Sequence, residues 1–170
     1  MKTTDLEKFC KQFVLSNGAN SLIANHNNLD LYLSELIENR YYSDALLIIS
    51  YRLSTLNAIR WACKHAKHYL KSPISEQDNN AFSAVTNWLK DPSELNRNNT
   101  LPNKIINRPS AGSCLAMAAF WASDNDNPPT ELIHDAVYSS LMLSVLQFSE
   151  HDQENIYQHA IADGINYLNC

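Results

Sequence analysis

Glycine is scarce in this chain of 170 residues, which contains only three. Proteins built from β-hairpins use glycine in the tight turns between strands, so this shortage argues against an all-β fold. No segment between turn residues alternates apolar and polar side chains, which is the pattern of a half-buried strand. No repeat of fixed period occurs either, so a solenoid is only an alternative fold.

Motifs of the common cysteine, metal and phosphate sites are also missing. The cysteines, Cys10, Cys63, Cys114 and Cys170, lie far apart, and no CxxC motif occurs. Scattered cysteines are typical of reduced thiols in a cytosolic protein and not of a disulfide framework. There is no HExxH motif and no glycine-rich phosphate loop. We therefore expect neither a cofactor nor a metal.

Long apolar runs and a strong positive charge are missing too. Apolar runs such as residues 45–50 are far shorter than a membrane span, and the first residues lack the apolar stretch of a secretory signal. The formal net charge is −5, whereas nucleic-acid-binding proteins carry a basic stripe. The densest positive group, Arg60, Lys64, Lys67 and Lys71, is predicted to be a solvent-exposed helix edge. We expect a cytoplasmic protein that binds neither nucleic acid nor membrane.

Helical periodicity dominates the sequence. Apolar residues three and four positions apart predict a first helix from Thr3 or Thr4 to Ser16, ended by Asn17-Gly18. In Asp91-Pro92-Ser93-Glu94, we predict that Asp91 caps a short helix with Pro92 as its first residue. Further helices are predicted over residues 29–37, 42–53, 55–70, 75–90, 111–123, 130–148 and 150–168. The expected fold class is all-α, a compact bundle of about eight helices in one domain spanning residues 1–170.

The segment RWACKHAKHY places a cysteine and two histidines within six residues. At about 100° of rotation per helical residue, Trp61, His65 and His68 share one face and Cys63 lies on the opposite face. The two histidines could hold one ion together, but a zinc site needs more ligands, which nothing in the sequence demands. We predict a helix packed on both faces, with structural zinc and a functional Trp/His surface as alternatives.

Other reactive residue types give no clear site. Pairing of Ser113 or Cys114 with a histidine would need a proximity that sequence does not show, and Cys114 in an apolar helix is predicted to be a buried, inert thiol. His134 and Asp135 are adjacent on a predicted helix and do not face each other, so we predict a solvated pair. The tryptophans are predicted to be core residues, with a partner-binding surface as the alternative.

Several segments, in the same order, resemble motifs of an uncharacterised family of small all-helical bacterial proteins. Residues 44–63 are similar to a segment that ends A-V-W-W-A-C in that family. AVTNWLKDPSELNR at 84–97 resembles W-V-x-D-P-S-E, and SAGSCLAMAAFWAS at 110–123 resembles A-A-F-W-S. Residues 136–146 and 162–168 resemble its closing segments. The similarity spans most of the chain.

This resemblance implies a context and not a mechanism. Members of the family are associated with type VI secretion gene clusters, and the family has no assigned activity. The chain departs from the family pattern at three places. It has residues 54–57 instead of a paired arginine, Arg60 instead of the first tryptophan, and residues 124–126 instead of a Gly-Gly-Ser loop. The retained residues are tryptophans, alanines and a capping box, which are typical of a fold signature.

We predict a non-enzymatic protein-binding accessory of a type VI secretion system, an adaptor or chaperone for an effector or spike-tip component. The main alternative is an immunity protein that neutralises a cognate toxin, since an acidic protein would attract a basic toxin. An enzyme of unknown class is the third reading, with no catalytic residue assigned. The residues expected to contact a protein partner are Trp61, His65 and His68 on one helix face, with Asp124 and Asp126 in a polar loop.

Overall fold

The computed structural model describes residues 5–101, 109–122 and 129–169. Four features of the sequence fall wholly or largely outside these ranges. They are the predicted helix start at Thr3 or Thr4, the connection 102–109, the loop with Asp124 and Asp126, and Cys170.

The described residues form α-helices, one 3₁₀ turn at Ile23–Asn25 and no strand, which confirms the all-α prediction. The helices are α1 Asp5–Cys10, α2 Asn17–Leu22, α3 Leu29–Glu38, α4 Tyr42–Arg52, α5 Thr55–His68, α6 Glu76–Lys90, α7 Glu94–Asn99, α8 Ala111–Ala122, α9 Thr130–Val145 and α10 Glu150–Leu168. None of these helices combines the length and the apolar character that crossing a bilayer requires.

The N-terminal segment differs from its prediction. Helix α1 ends at Cys10, and Asn17-Gly18 begins α2 instead of ending a longer helix. The reason is Ser16, whose Oγ accepts a hydrogen bond from the Ala19 N–H at 3.2 Å and so caps α2. The buried Asp44 carboxylate holds this cap, because it accepts hydrogen bonds from Ser16 N and Ser16 Oγ, both at 2.8 Å.

The predicted cap of α7 is also wrong. Ser93 caps this helix, and Glu94 is its first residue. Asp91 precedes this cap by two residues, and its Oδ2 accepts hydrogen bonds from Ser93 Oγ at 3.1 Å and from Asn96 Nδ2 at 3.0 Å. Serines also cap two longer helices: Ser75 Oγ accepts the Asp78 N–H at the start of α6, and Ser110 Oγ accepts the Ser113 N–H at the start of α8.

Helix α8 lies at the centre of the bundle and contacts α5, α6, α7 and α9. It is apolar on nearly all sides, as a helix surrounded by other helices must be. Its small residues Ala116, Ala118 and Ala119 are fully buried, so neighbouring helices can approach closely. Helix α5 packs against α6, α8, α9 and α10, which leaves one edge of it exposed.

Helix α10 closes the bundle by packing on α4 and α5. The side chain of Trp61 on α5 is fully buried there, and its Nε1–H donates a hydrogen bond to the Ala160 carbonyl oxygen at 2.9 Å. Gly164 makes this approach possible. A Cβ atom added to Gly164 would lie 2.7 Å from Ile49 Cγ2 and 3.1 Å from the Trp61 ring.

Replacing Gly164 by alanine should therefore destabilise the fold. Alanine favours a helix by about 1 kcal/mol over glycine, but overpacking a tight core contact costs about 1–3 kcal/mol. We expect Gly164→Ala to lower the free energy of unfolding in urea denaturation. Asn155→Ala, at an exposed position of the same helix, is the control and should change stability by less than about 0.5 kcal/mol. A Gly164→Ala variant as stable as the control would contradict the tight contact.

Candidate functional site

A cleft of about 460 Å³ opens between the C-terminal part of α5 and the middle of α10. Its volume falls within the range of about 300–1,000 Å³ that is usual for ligand-binding pockets. We call it the α5–α10 cleft. Its lining residues are Lys64, His65, His68, Tyr69, His159, Ala162, Asp163 and Asn166.

The Asp163 carboxylate is the centre of the polar contacts in the cleft. Lys64 Nζ donates to both of its oxygens at 2.9 Å, and His65 Nε2 lies 2.8 Å from Oδ2. His65 is buried, whereas the Lys64 side chain is mostly exposed. The aspartate therefore satisfies a buried imidazole on one side and an exposed ammonium group on the other.

The protonation states follow from burial and from these contacts. Burial lowers the pKa of His65 below its ordinary value, although Asp163 acts in the opposite direction. Burial alone would raise the pKa of Asp163, but the hydrogen bonds from Lys64 and His65 lower it below the usual range. At neutral pH a neutral His65 thus donates its Nε2–H to an ionised Asp163, because a carboxylate can only accept. Lys64 supplies the compensating charge.

The rim of the cleft is formed by aromatic and imidazole rings. The Tyr69 hydroxyl lies 3.0 Å from His159 Nδ1, and the His68 ring meets the Tyr69 ring edge-on at a centroid distance of 4.7 Å. The His65 ring stacks nearly parallel to Tyr69 at 6.3 Å. His68 and His159 are exposed, so three histidines converge on one cleft and two of them face solvent.

The residues predicted to contact a partner lie in different environments. Trp61 has no exposed surface and lies beneath the cleft. His65 is buried at the base of the cleft, and His68 is on its exposed rim. Asp124 and Asp126 lie outside the described residues. Partner binding by any of these side chains stays a prediction.

The predicted division of α5 into two faces is confirmed for Cys63 and His65 but not for His68. Cys63 faces α6, where its Sγ lies 3.9 Å from Thr86 Oγ1, and His65 faces α10. His68 lies at the edge between the two sides and lines a groove together with Cys63. Trp88 is buried, as predicted for a core residue, and Trp121 is partly buried against the core. Sequence reasoning missed Tyr69, His159 and Asp163 as members of the cleft, because only folding brings α10 against α5.

Residues 32–168 match the model of a protein family described as a family of unknown function, DUF6931. The chain belongs to this family. The matched span includes every residue of the α5–α10 cleft. Comparison with curated proteins and comparison with solved structures find no match. Membership of DUF6931 assigns no activity, so function has to be argued from the chemistry of the cleft.

In this DUF6931 chain, the parts that the structure describes bring together no group of three or more histidine, cysteine, aspartate or glutamate residues that could hold a metal ion. His65 and His68 therefore gain no third ligand there. Among the described residues, those that line the cleft include no serine, threonine or cysteine. The usual nucleophiles of acyl-transfer catalysis are thus missing from the lining.

Two other sequence predictions concern residues away from the cleft. His134 and Asp135 do not face each other, as expected, but the prediction of a solvated pair is wrong for His134. The Tyr51 ring covers the buried His134 at a centroid distance of 5.2 Å, while its hydroxyl donates to Asp135 Oδ1 at 2.8 Å. Cys114 is half-buried and not fully buried as predicted, and this burial raises the pKa of its thiol, which therefore stays protonated at neutral pH.

The burial of His65 should make stability depend on pH. Because the pKa of His65 is lower in the folded state, the unfolded chain binds more protons as the pH falls below about 6.5, and the folded state loses stability there. We expect the free energy of unfolding to decrease between pH 7 and pH 5, and to decrease less in His65→Gln, whose amide can still donate to Asp163.

Urea denaturation at several pH values measures the slope of the free energy of unfolding against pH. The variants are compared by this slope and not by their absolute stability. His151→Gln on α10 is the matched control, because His151 is exposed. It should retain the wild-type slope. Buried His134, whose pKa is also lowered by burial, accounts for the part of the slope that His65→Gln retains. An unchanged slope in His65→Gln would contradict the assignment.

Proposed function

We propose that the chain is a non-enzymatic protein-binding accessory of a bacterial type VI secretion system, an adaptor or chaperone for an effector or spike-tip component. The secretion context rests on the resemblance of its motifs to those of proteins associated with type VI secretion gene clusters. The binding role rests on one observation about the α5–α10 cleft. Aromatic and imidazole rings line its exposed rim, and the charges at its polar base neutralise one another.

The base of the cleft favours binding over catalysis. Asp163 is occupied by Lys64 and His65, so neither the carboxylate nor His65 Nε2 is available to take a proton from a bound molecule. A general base must reach the proton that it removes. In this cleft, the same groups instead fix the shape and charge of the surface before a partner arrives, which reduces the entropy lost on binding.

The rim supplies the groups that protein interfaces use most. Tyrosine is enriched in interface hot spots, and rings held by neighbours lose little conformational freedom on association. Tyr69 is held between His68 and His159 by a ring contact and a hydrogen bond. The cleft volume suits one or two anchor side chains of a partner, with the surrounding helix surfaces covering the edges of the contact.

An immunity protein that neutralises a cognate toxin is the second candidate function. The observation that favours it is the formal net charge of −5, which would attract a basic toxin and speed association. An enzyme of unknown class is the third candidate, favoured only by the His65–Asp163 pair at the base of the cleft. Binding of one toxin, with rescue of cells from it, would distinguish the immunity role from the adaptor role.

Affinity capture of the tagged chain from its native cells, with mass spectrometry, tests this proposal. We expect a secretion component or an effector to be captured by the wild type and by His151→Ala, and to be lost with the double variant Tyr69→Ala/His159→Ala. Loss of a hot-spot ring weakens binding about tenfold or more. Circular dichroism shows whether the double variant is folded, and Tyr69→Phe/His159→Gln is the milder substitute if it is not.

The outcomes separate the candidates. Capture of a single toxin in place of a secretion component would support the immunity role. A clean, partnerless monomer would count against both binding roles. Retention of the same partner by the folded double variant would show that the α5–α10 cleft is not the contact surface.

A further inference from the structure

A second groove runs along the other side of the exposed edge of α5, between α5 and α6. It encloses about 370 Å³ and shares Lys64 and His68 with the α5–α10 cleft. We call it the α5–α6 groove. Its α5 wall carries Arg60, Lys64 and Lys67, its α6 wall carries Thr86 and Leu89, and Cys63 forms part of the floor.

The groove is positive in a protein that is negative as a whole. Among the residues that the structure describes, no carboxylate lines the groove, although the chain has a formal net charge of −5. Lys64 pairs with Asp163, but among the described residues no carboxylate lies within ion-pair distance of Arg60 or Lys67. Arg60 Nη1 donates only to the neutral Asn57 Oδ1, at 3.3 Å. These two cations are therefore available to an external anion.

The floor of the groove is uncharged and partly apolar. Burial raises the pKa of the Cys63 thiol, which therefore stays neutral. Leu89 is half-buried and packs against the core, and the Thr86 hydroxyl donates to the Phe82 carbonyl oxygen at 2.6 Å, so it is already satisfied. A ligand that fits this floor combines negative charge with apolar groups.

The spacing of the cations fits an extended peptide. Arg60, Lys64 and Lys67 occupy positions i, i+4 and i+7 of one helix face, so their Cα atoms are separated along the axis by about 6 Å and 4.5 Å. Side chains on one side of an extended chain recur about every 6.6 Å. Acidic side chains at alternate positions of such a chain would face the cations of the α5 wall, while the intervening side chains would face Leu89 on the α6 wall.

A nucleic acid fits the groove less well. Nucleic-acid binding gains affinity from neutralising many phosphates along a stripe, whereas the available cations here span only about 10 Å of helix. A long polyanion would extend over the acidic remainder of the protein and be repelled by it. A short acidic segment would stay in the groove, where charges farther away than a Debye length of about 8 Å are largely screened.

We propose that the α5–α6 groove binds an extended acidic segment of a partner protein, with carboxylates on Arg60 and Lys67 and an apolar side chain over Cys63 and Leu89. This inference rests on the proposed function, since it names the chemistry of the protein partner. It assigns the groove to the charged part of the partner and the neighbouring α5–α10 cleft to its anchor side chains.

Direct titration tests the groove without the natural partner. The probe is a short synthetic peptide of alternating glutamate and leucine, and the readout is the amide chemical shifts of the isotope-labelled protein, which detect even millimolar binding. We expect shifts confined to α5 and α6 around the groove. Shifts that are absent, that map elsewhere, or that appear equally with the glutamine–leucine peptide would overturn the proposal. Tighter binding of a short DNA strand at the same residues would do so too.

Charge reversal gives the second arm. Arg60→Glu/Lys67→Glu should abolish the peptide-dependent shifts, whereas Lys8→Glu/Lys11→Glu, an equal change of net charge on exposed residues at α1 and just after it, should leave them intact. Loss of peptide binding in both variants would overturn the proposed binding site, because it would show that the net charge of the protein alone accounts for the binding. If the Arg60→Glu/Lys67→Glu variant still captures a natural partner, the groove is not the binding site, but the proposed function is supported. A protein that binds the peptide in the groove but captures no partner would count against the proposed function instead.

Discussion

The hydrogen bond from Trp61 Nε1 to the Ala160 carbonyl oxygen fixes how α10 lies on the rest of the bundle. A buried indole N–H without a partner would cost about 1–3 kcal/mol, so the acceptor that α10 supplies stabilises its close approach to α5. Only a residue without a side chain allows that approach, and Gly164 is that residue. About one helical turn along α5 from Trp61, and next to Gly164 on α10, His65 meets Asp163. The α5–α10 cleft is therefore the solvent-facing continuation of a core contact.

The same contact brings together the groups that form the polar base of the cleft. His65 is buried because Trp61 and Tyr69 flank it, and a buried imidazole needs a hydrogen-bond partner. Asp163 provides the partner, and Lys64 keeps Asp163 ionised without being buried itself. Asp163 thus satisfies the hydrogen-bonding group of His65, and Lys64 balances the charge of Asp163. The result is a surface whose charges are balanced internally and whose rings are positioned by packing, which suits recognition more than proton transfer.

Helical periodicity was sufficient to predict the fold class and the opposite placement of Cys63 and His65 on α5, because both depend only on spacing along helices. The bounds of α10 were also predicted correctly, since Ser149 and the acidic turn after it form a strong local signal. The prediction for the N-terminal segment failed because a distant residue decided between local alternatives. Asp44 holds Ser16 as a helix cap, so Asn17-Gly18 starts a helix. Asp163 and His159 could not be assigned to the cleft, since nothing near them in sequence indicates which helix α10 covers.

Lys64 lies between the two surfaces and links them electrostatically. Its ammonium group contacts both oxygens of Asp163, yet the side chain is mostly exposed and belongs to the wall of the α5–α6 groove as well. An acidic segment in the groove would compete with Asp163 for Lys64. Any loss of that contact would leave Asp163 to His65 alone and remove a positive charge that lowers the pKa of His65. Lys64 therefore belongs to both surfaces, since its ammonium group neutralises Asp163 in the cleft while its side chain forms part of the wall of the groove.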